Sequence, residues 1–268
     1  MAGARPRGCG RAAGLARDRD RVRVRVRVRA ALALALALAL ALTLTSTAPA
    51  LAESPRSATF ALHFGTYLPQ VDSAFAGATP WDDVFGQSTM LLMGFEAGYL
   101  LWQGHGTLSV TGGLRYGWID GKALDGEGEP STDEVGFNLM PATASIVYRW
   151  DWAALRHGIP LAPYVKAGLS AALWWATDGK GDVSNTRAPD GEAREGRGLT
   201  LGWHAGGGLQ FLLDAVAPGM AGDFDTDSGV NNSYLFAEFL YTALDDFGSA
   251  TSIDLGDASF SFGLMFEF

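Results

Sequence analysis

From Ser57 onward, eight segments place apolar side chains at every second residue, the period of a β-strand, and their opposite faces are almost free of the charges that water-facing sheets carry. The first segment, Ser57 to Leu68, shows Phe60, Leu62 and Phe64 on one face. The second shows the odd positions Leu91 to Leu101, and the third Leu108, Val110, Leu114, Tyr116 and Trp118. The fourth shows the even positions Met140 to Trp150, the fifth the odd positions Val165 to Trp175, and the sixth the odd positions Leu199 to Phe211. The seventh shows Leu235 to Tyr241, and the last Phe260, Phe262, Leu264, Phe266 and Phe268. The opposite faces read Gly94, Glu96, Gly98 or Thr200, Gly202, His204, Gly206: small residues with isolated charges. A soluble sandwich or barrel would load that face with Lys and Glu. Small residues fit a narrow, crowded interior, so the apolar face points outward into lipid, the inverted pattern of a membrane barrel. Closure is then obligatory, because an open sheet edge in hydrocarbon leaves backbone groups unpaired. The expected fold is all-β, an eight-stranded antiparallel transmembrane β-barrel, with a soluble periplasmic barrel as the rival. Pro141 interrupts the fourth segment and predicts a bulge or an edge there.

Composition removes other classes. The 268 residues are 48% apolar and 18% charged, which excludes a disordered chain. A single Cys forms no intrachain disulfide, and 35 Gly disfavour a helical bundle.

The N-terminal segment has a different logic. Ten of the 20 basic residues and two of the 29 acidic ones fall in residues 1–52, giving +8; residues 53–268 keep ten against 27, giving −17. The acidic part repels nucleic-acid phosphates, so nucleic acid is not an expected partner. The basic run RVRVRVRVR, the apolar run ALALALALALALTLT and the site Ala50-Leu51-Ala52 read as a secretory signal cleaved after Ala52. A lone membrane anchor is the alternative, but the apolar run is shorter than the ~20 residues a span needs. At 52 residues the leader exceeds the usual ~15–30, so translation is expected to start inside the Arg-Val run, at Val28 or Val22. The domains are thus residues 1–52, signal, and 53–268, barrel.

Segment lengths and aromatic placement agree with a membrane barrel. Tyr and Trp gather toward strand ends, as with Tyr148, Trp150 and Trp152, where amphipathic rings form girdles. Connections near 69–88, 121–134, 178–197 and 244–257 are long and polar, those near 103–106 and 151–161 are shorter, and 214–232 is the exception, with room for a helical turn. Long odd loops face outside and both termini face the periplasm.

The C-terminus, Phe260-Ser261-Phe262-Gly263-Leu264-Met265-Phe266-Glu267-Phe268, resembles the assembly signal of bacterial outer-membrane proteins, carried by Phe262, Leu264, Phe266 and Phe268. Residues 57–268 resemble small eight-stranded barrels of the OmpA, OmpX and OmpW kind, and the Gly-rich strands and Ala-Leu leader look closest to an uncharacterised outer-membrane barrel family of myxobacteria. The resemblance implies a Gram-negative outer-membrane location. It implies contact with outer-membrane lipid and lipopolysaccharide, and recognition by the barrel-assembly machinery. It implies no cofactor.

Chemistry-bearing residues are few. Parity points Glu96, Arg115, Lys166 and Glu238 inward at mid-strand. Glu96 and Arg115 lie on consecutive strands, which are expected to pair, and charges of both signs in a narrow lumen are expected to neutralise one another. Such charges form either a polar gate or ion path, or a plug of side chains. The plug is favoured because eight strands enclose an interior just wide enough to fill. His63 and His204 also point inward; satisfied lumen histidines are favoured over a metal or acid–base role, since no Ser-His-Asp or metal spacing accompanies them. Asp223, Asp225 and Asp227 could converge on Ca²⁺, but Gly229 and Tyr234 do not match the Gly and Glu positions of an EF-hand loop, and a solvated turn is favoured. The expected role is non-catalytic: membrane structure or surface interaction. The alternatives are a narrow channel for small or apolar solutes and, more remotely, a lipid-modifying enzyme.

Overall fold

The computed structural model describes residues 56–268 other than 76, 125–128, 188–192 and 250–251, so the leader and the cleavage residues Ala50 and Ala52 lie outside the described residues. Eight long strands close into one antiparallel barrel: β1 (Ala58–Tyr67), β2 (Met90–Gln103), β3 (Thr107–Leu124), β4 (Pro130–Arg149), β5 (Leu161–Thr177), β8 (Arg197–Leu212), β9 (Asn232–Leu244) and β10 (Asp257–Glu267). Two short strands, β6 (Asn185–Arg187) and β7 (Ala193–Glu195), form a separate hairpin in the β5–β8 connection. Every barrel strand pairs with its chain neighbour, and the seam closes where β1 meets β10, from Thr59↔Glu267 to Gly65↔Ser261. Beyond that ladder the Phe268 N–H donates to Ala58 C=O at 2.9 Å, so the last residue is stitched to the first strand.

The alternation resolves into two faces. Phe60, Leu62, Phe64, Leu169, Phe239 and Phe262 stand outward and exposed, forming an apolar belt around the wall. Trp118 and Tyr116 stack at 5.7 Å toward one rim, while Tyr148 and Trp150 meet edge-on at 4.7 Å toward the other. The rim with both chain ends is called the terminal rim, and the opposite one the distal rim. β3 and β4, of 18 and 20 residues, extend about 60 Å at ~3.3 Å per residue and stand well above the belt. Among the described residues no helix is long and apolar enough to cross a membrane.

Three sequence expectations are corrected. Pro141 produces neither a bulge nor an edge: β4 holds one register against β3 from Thr107↔Arg149 to Lys122↔Glu134, and the ladder merely lapses opposite Arg115 and Tyr116. That is what a missing N–H does on one side, while the β5 side pairs without a gap through Pro141↔Ala172. The 121–134 connection is mostly hairpin ladder, not loop. The segment with Asp223, Asp225 and Asp227 is helix α3 (Pro218–Ser228), longer than a turn, with Pro at its start and Gly229 left-handed at its end (φ 71°). The other helices are α1 (Pro80–Phe85) and α2 (Trp152–His157).

Helix α2 ends in a Schellman-type turn: Gly158 adopts φ 66° and the Ile159 N–H donates to Ala153 C=O at 3.3 Å. Gly158→Ala forces a side chain into the left-handed region. It is expected to cost about 1 kcal/mol, read as a lower urea midpoint of the lipid-reconstituted barrel.

Candidate functional site

Among the described residues, charge, burial and geometry converge in the lumen, which is organised in layers along the barrel axis. The middle layer joins four charges from four strands. Lys166 Nζ on β5 lies 2.9 Å from Glu96 Oε2 on β2 and 2.9 Å from Glu238 Oε2 on β9. Arg115 Nη2 on β3 lies 3.4 Å from Glu238 Oε1 and donates to His63 Nδ1 on β1 at 3.2 Å. Because Arg only donates, His63 accepts at Nδ1 and carries its proton on Nε2. Tyr164 OH adds a bond to Glu238 Oε2 at 3.0 Å. Gly208 makes room for it, since a Cβ there would sit 2.9 Å from the Tyr164 ring. Two cations face two carboxylates, so the layer is neutral, with the Lys166 and Glu238 side chains only 2% and 1% exposed.

The structure thus brings Glu96, Arg115, Lys166 and Glu238 together as pairs of opposite charge, on strands of which β2 and β3 are ladder neighbours. Glu96 takes Lys166 across the lumen, and Arg115 takes Glu238. On the wall Glu96 sits opposite Gly113 and Arg115 opposite Gly94, two residue pairs apart in the ladder, and the cross-lumen partners win.

A second neutral layer closes the terminal rim, and only part of it was visible to sequence reasoning. Arg149 Nη2 on β4 lies 2.6 Å from Glu267 Oε1 on β10 and 3.1 Å from Asp151 Oδ2. Arg56 joins at 3.5 Å from Asp151 and 3.6 Å from Glu267. The Arg149 guanidinium lies over the Tyr234 ring at 5.1 Å. Glu267, between the outward Phe266 and Phe268, has inward parity, while Arg149 is not among the candidates named above. The signal was present: Arg149 has opposite parity to the outward Tyr148 and Trp150. In the adjoining connection Asp214 accepts the Ser233 N–H at 3.2 Å, and burial nevertheless raises its carboxyl above the usual range.

His204 lies distal to the middle layer with both ring nitrogens engaged: Ser145 Oγ is 2.8 Å from Nε2 and Ser170 Oγ 2.7 Å from Nδ1. The Ser–His contact was not legible from spacing, because the three residues come from β4, β5 and β8. All three are buried inside the barrel, away from its apolar belt, and no carboxylate hydrogen-bonds the ring among the described residues.

The distal third of the lumen is apolar, unlike the small polar lining that parity led one to expect. Tyr67, Met90, Leu92, Phe137, Leu139 and Leu244 point inward and pack with Trp81 from α1. Asp72 anchors α1 by accepting the Trp81 and Asp82 N–H groups at 2.6 and 3.2 Å. Trp81 meets Phe137 edge-on at 5.3 Å, and Phe137 stacks on Trp174 at 6.1 Å. The first connection is therefore a lid with a hydrophobic underside, not a purely polar loop.

Between the two ionic layers a cavity of about 30 Å³ remains, bordered by His63, Thr111, Glu96 and Gln210. That is room for about two waters, beside His63 Nε2 and Thr111 Oγ1, which have no protein partner. Among the described residues no group of three His, Cys, Asp or Glu is placed to hold a metal. Asp225 in α3 points about 200° around the helix from Asp223, so the three carboxylates do not converge.

No family model matches the chain, and no curated protein does. Among solved structures it is similar to Neisserial surface protein A (TM-score 0.42, 13% identity, covering 80% of this chain and 98% of that one). It is also similar to Ail, the attachment invasion locus protein of Yersinia pestis, in complex with the heparin analogue sucrose octasulfate (TM-score 0.38, 13% identity, 79% and 97%). A third is the outer membrane enzyme PagL (TM-score 0.36, 14% identity, 78% and 98%). These likenesses describe architecture and carry nothing about activity; the barrel itself rests on the closed ladder described above.

Proposed function

We propose that the protein is an integral outer-membrane barrel with a closed lumen and a structural or surface-interaction role, carried by what stands on its distal rim. The observation that carries this reading is the three-layer closure: an ionic layer at the terminal rim, an ionic layer at mid-height, and an apolar lid beneath α1. The exposed belt of Phe and Leu supports membrane insertion, because an apolar surface wrapped around a whole wall is a liability in water. Its location in the outer membrane implies lipid and lipopolysaccharide as neighbours. The alternating Phe262, Leu264, Phe266 and Phe268 support handling by the assembly machinery, and the leader supports export and kinship with the myxobacterial barrels. The terminal rim then faces the periplasm and the distal rim the outside.

The chain is not read as an enzyme. The Ser145–His204–Ser170 contact lies inside the wall, where an acyl chain in the bilayer does not reach it.

Planar-bilayer recording on the refolded mature chain tests the reading. The expected result is no discrete current from protein whose folding is shown by heat-dependent gel mobility. Current steps altered by Glu96→Ala or Lys166→Ala would overturn it and install the narrow channel in its place.

A further inference from the structure

The four histidines of this chain divide cleanly. Two stand in the lumen. The other two, His105 in the β2–β3 turn and His157 at the end of α2, both pack on a single ring, that of Trp152, with centroids 6.3 and 4.4 Å away. Arg156 is exposed beside His157 in the last turn of α2. The cluster sits on the terminal rim, directly below the aromatic girdle of β4. Trp150, Trp152 and Ile159 are 49%, 41% and 53% exposed there, so the apolar belt runs without a break into the basic spot.

Asp151, the residue before Trp152, is turned inward and held by Arg149 and by the Thr107 hydroxyl at 2.6 Å. Among the described residues no carboxylate forms an ion pair with Arg156, so the spot presents N–H donors and a cation in a mature chain whose net charge is −17. The other helix of this rim, α3, is acidic, with Asp223, Asp225 and Asp227. The rim thus has one sector of each sign.

The geometry points to a binding site for the headgroup of an anionic glycerophospholipid in the periplasmic leaflet. The phosphate takes the imidazole N–H groups and the Arg156 guanidinium, and the glycerol and upper acyl chain lie on Trp152 and Ile159. A cation at the headgroup level and an aromatic ring at the hydrocarbon boundary are the two things such a lipid offers partners for. This inference rests on the membrane reading above.

The test uses the full chain, exported and folded in a Gram-negative host, then placed in nanodiscs of equal phosphatidylglycerol and phosphatidylcholine. Native mass spectrometry counts the lipids that stay bound. Phosphatidylglycerol is expected to exceed phosphatidylcholine by about fivefold, the ratio that ~1 kcal/mol gives. H105A/R156A/H157A is expected to bring the ratio to one, and Lys122→Ala with Lys180→Ala, far away at the distal rim, to leave it. A folded, inserted wild-type chain with a ratio of one overturns the site. So does a preference that survives the triple variant, or one abolished instead by Lys122→Ala with Lys180→Ala at the distal rim. A chain that never enters the discs fails earlier and overturns the membrane reading itself.

Discussion

Glu238→Leu is expected to destabilise the reconstituted barrel by about 3–5 kcal/mol, because it strips a buried carboxylate from Lys166 and Arg115 at once. Leu is close to Glu in volume, so the loss is polar: two cations and the Tyr164 hydroxyl lose their acceptor. Glu96 remains 2.9 Å from Lys166 and satisfies one cation, leaving Arg115 as the uncompensated charge. Adding Arg115→Met removes that charge and restores neutrality. The double variant is therefore expected to regain about 2 kcal/mol over the single one, well beyond additivity. Urea titration in lipid vesicles, read by heat-dependent gel mobility, measures both. A single-variant loss below 1 kcal/mol would show that the mid-lumen layer is hydrated and weakly coupled.

Trp81→Ala carries the second large effect, about 3–5 kcal/mol, since it removes the largest side chain of the lid and takes one ring contact each from Phe137 and Phe85. Its consequence is confined to the distal end. The two ionic layers beneath are untouched, so the variant is expected to stay silent in planar bilayers while its distal loops become faster substrates for an added protease. A variant that conducts would identify the lid, and not the charges, as the barrier.

The wall of this protein was legible because parity is local: a residue's face is set by its neighbours two positions away. Phe60, Leu169 and Phe262 could be assigned outward from the string alone. What lies opposite what across the lumen is not local. Glu96 and Arg115 are on adjacent strands, yet each finds its partner on the far wall, a choice set by strand stagger and by the glycines that let side chains cross. Arg149 was overlooked although its parity is plain, because β4 had been read only from its apolar side. The lid was hidden for a different reason: Trp81 belongs to a six-residue helix in a connection and obeys no strand period. In α3 the Asp spacing drew the eye to a turn, while Pro218 and Gly229 marked a helix.

The neutrality of the two lumen layers has a consequence outside the barrel. They contain four cations and four carboxylates, so of the ten basic and 27 acidic residues in positions 53–268, six and 23 lie elsewhere, and those carry the whole net charge of −17. On the proposed reading, copies brought close together in a bilayer would therefore repel one another, over a range of about 10 Å at 0.1 M salt. Lateral spacing in the plane of the membrane becomes a property of the divalent-ion content of the medium, and chelation should disperse what magnesium gathers.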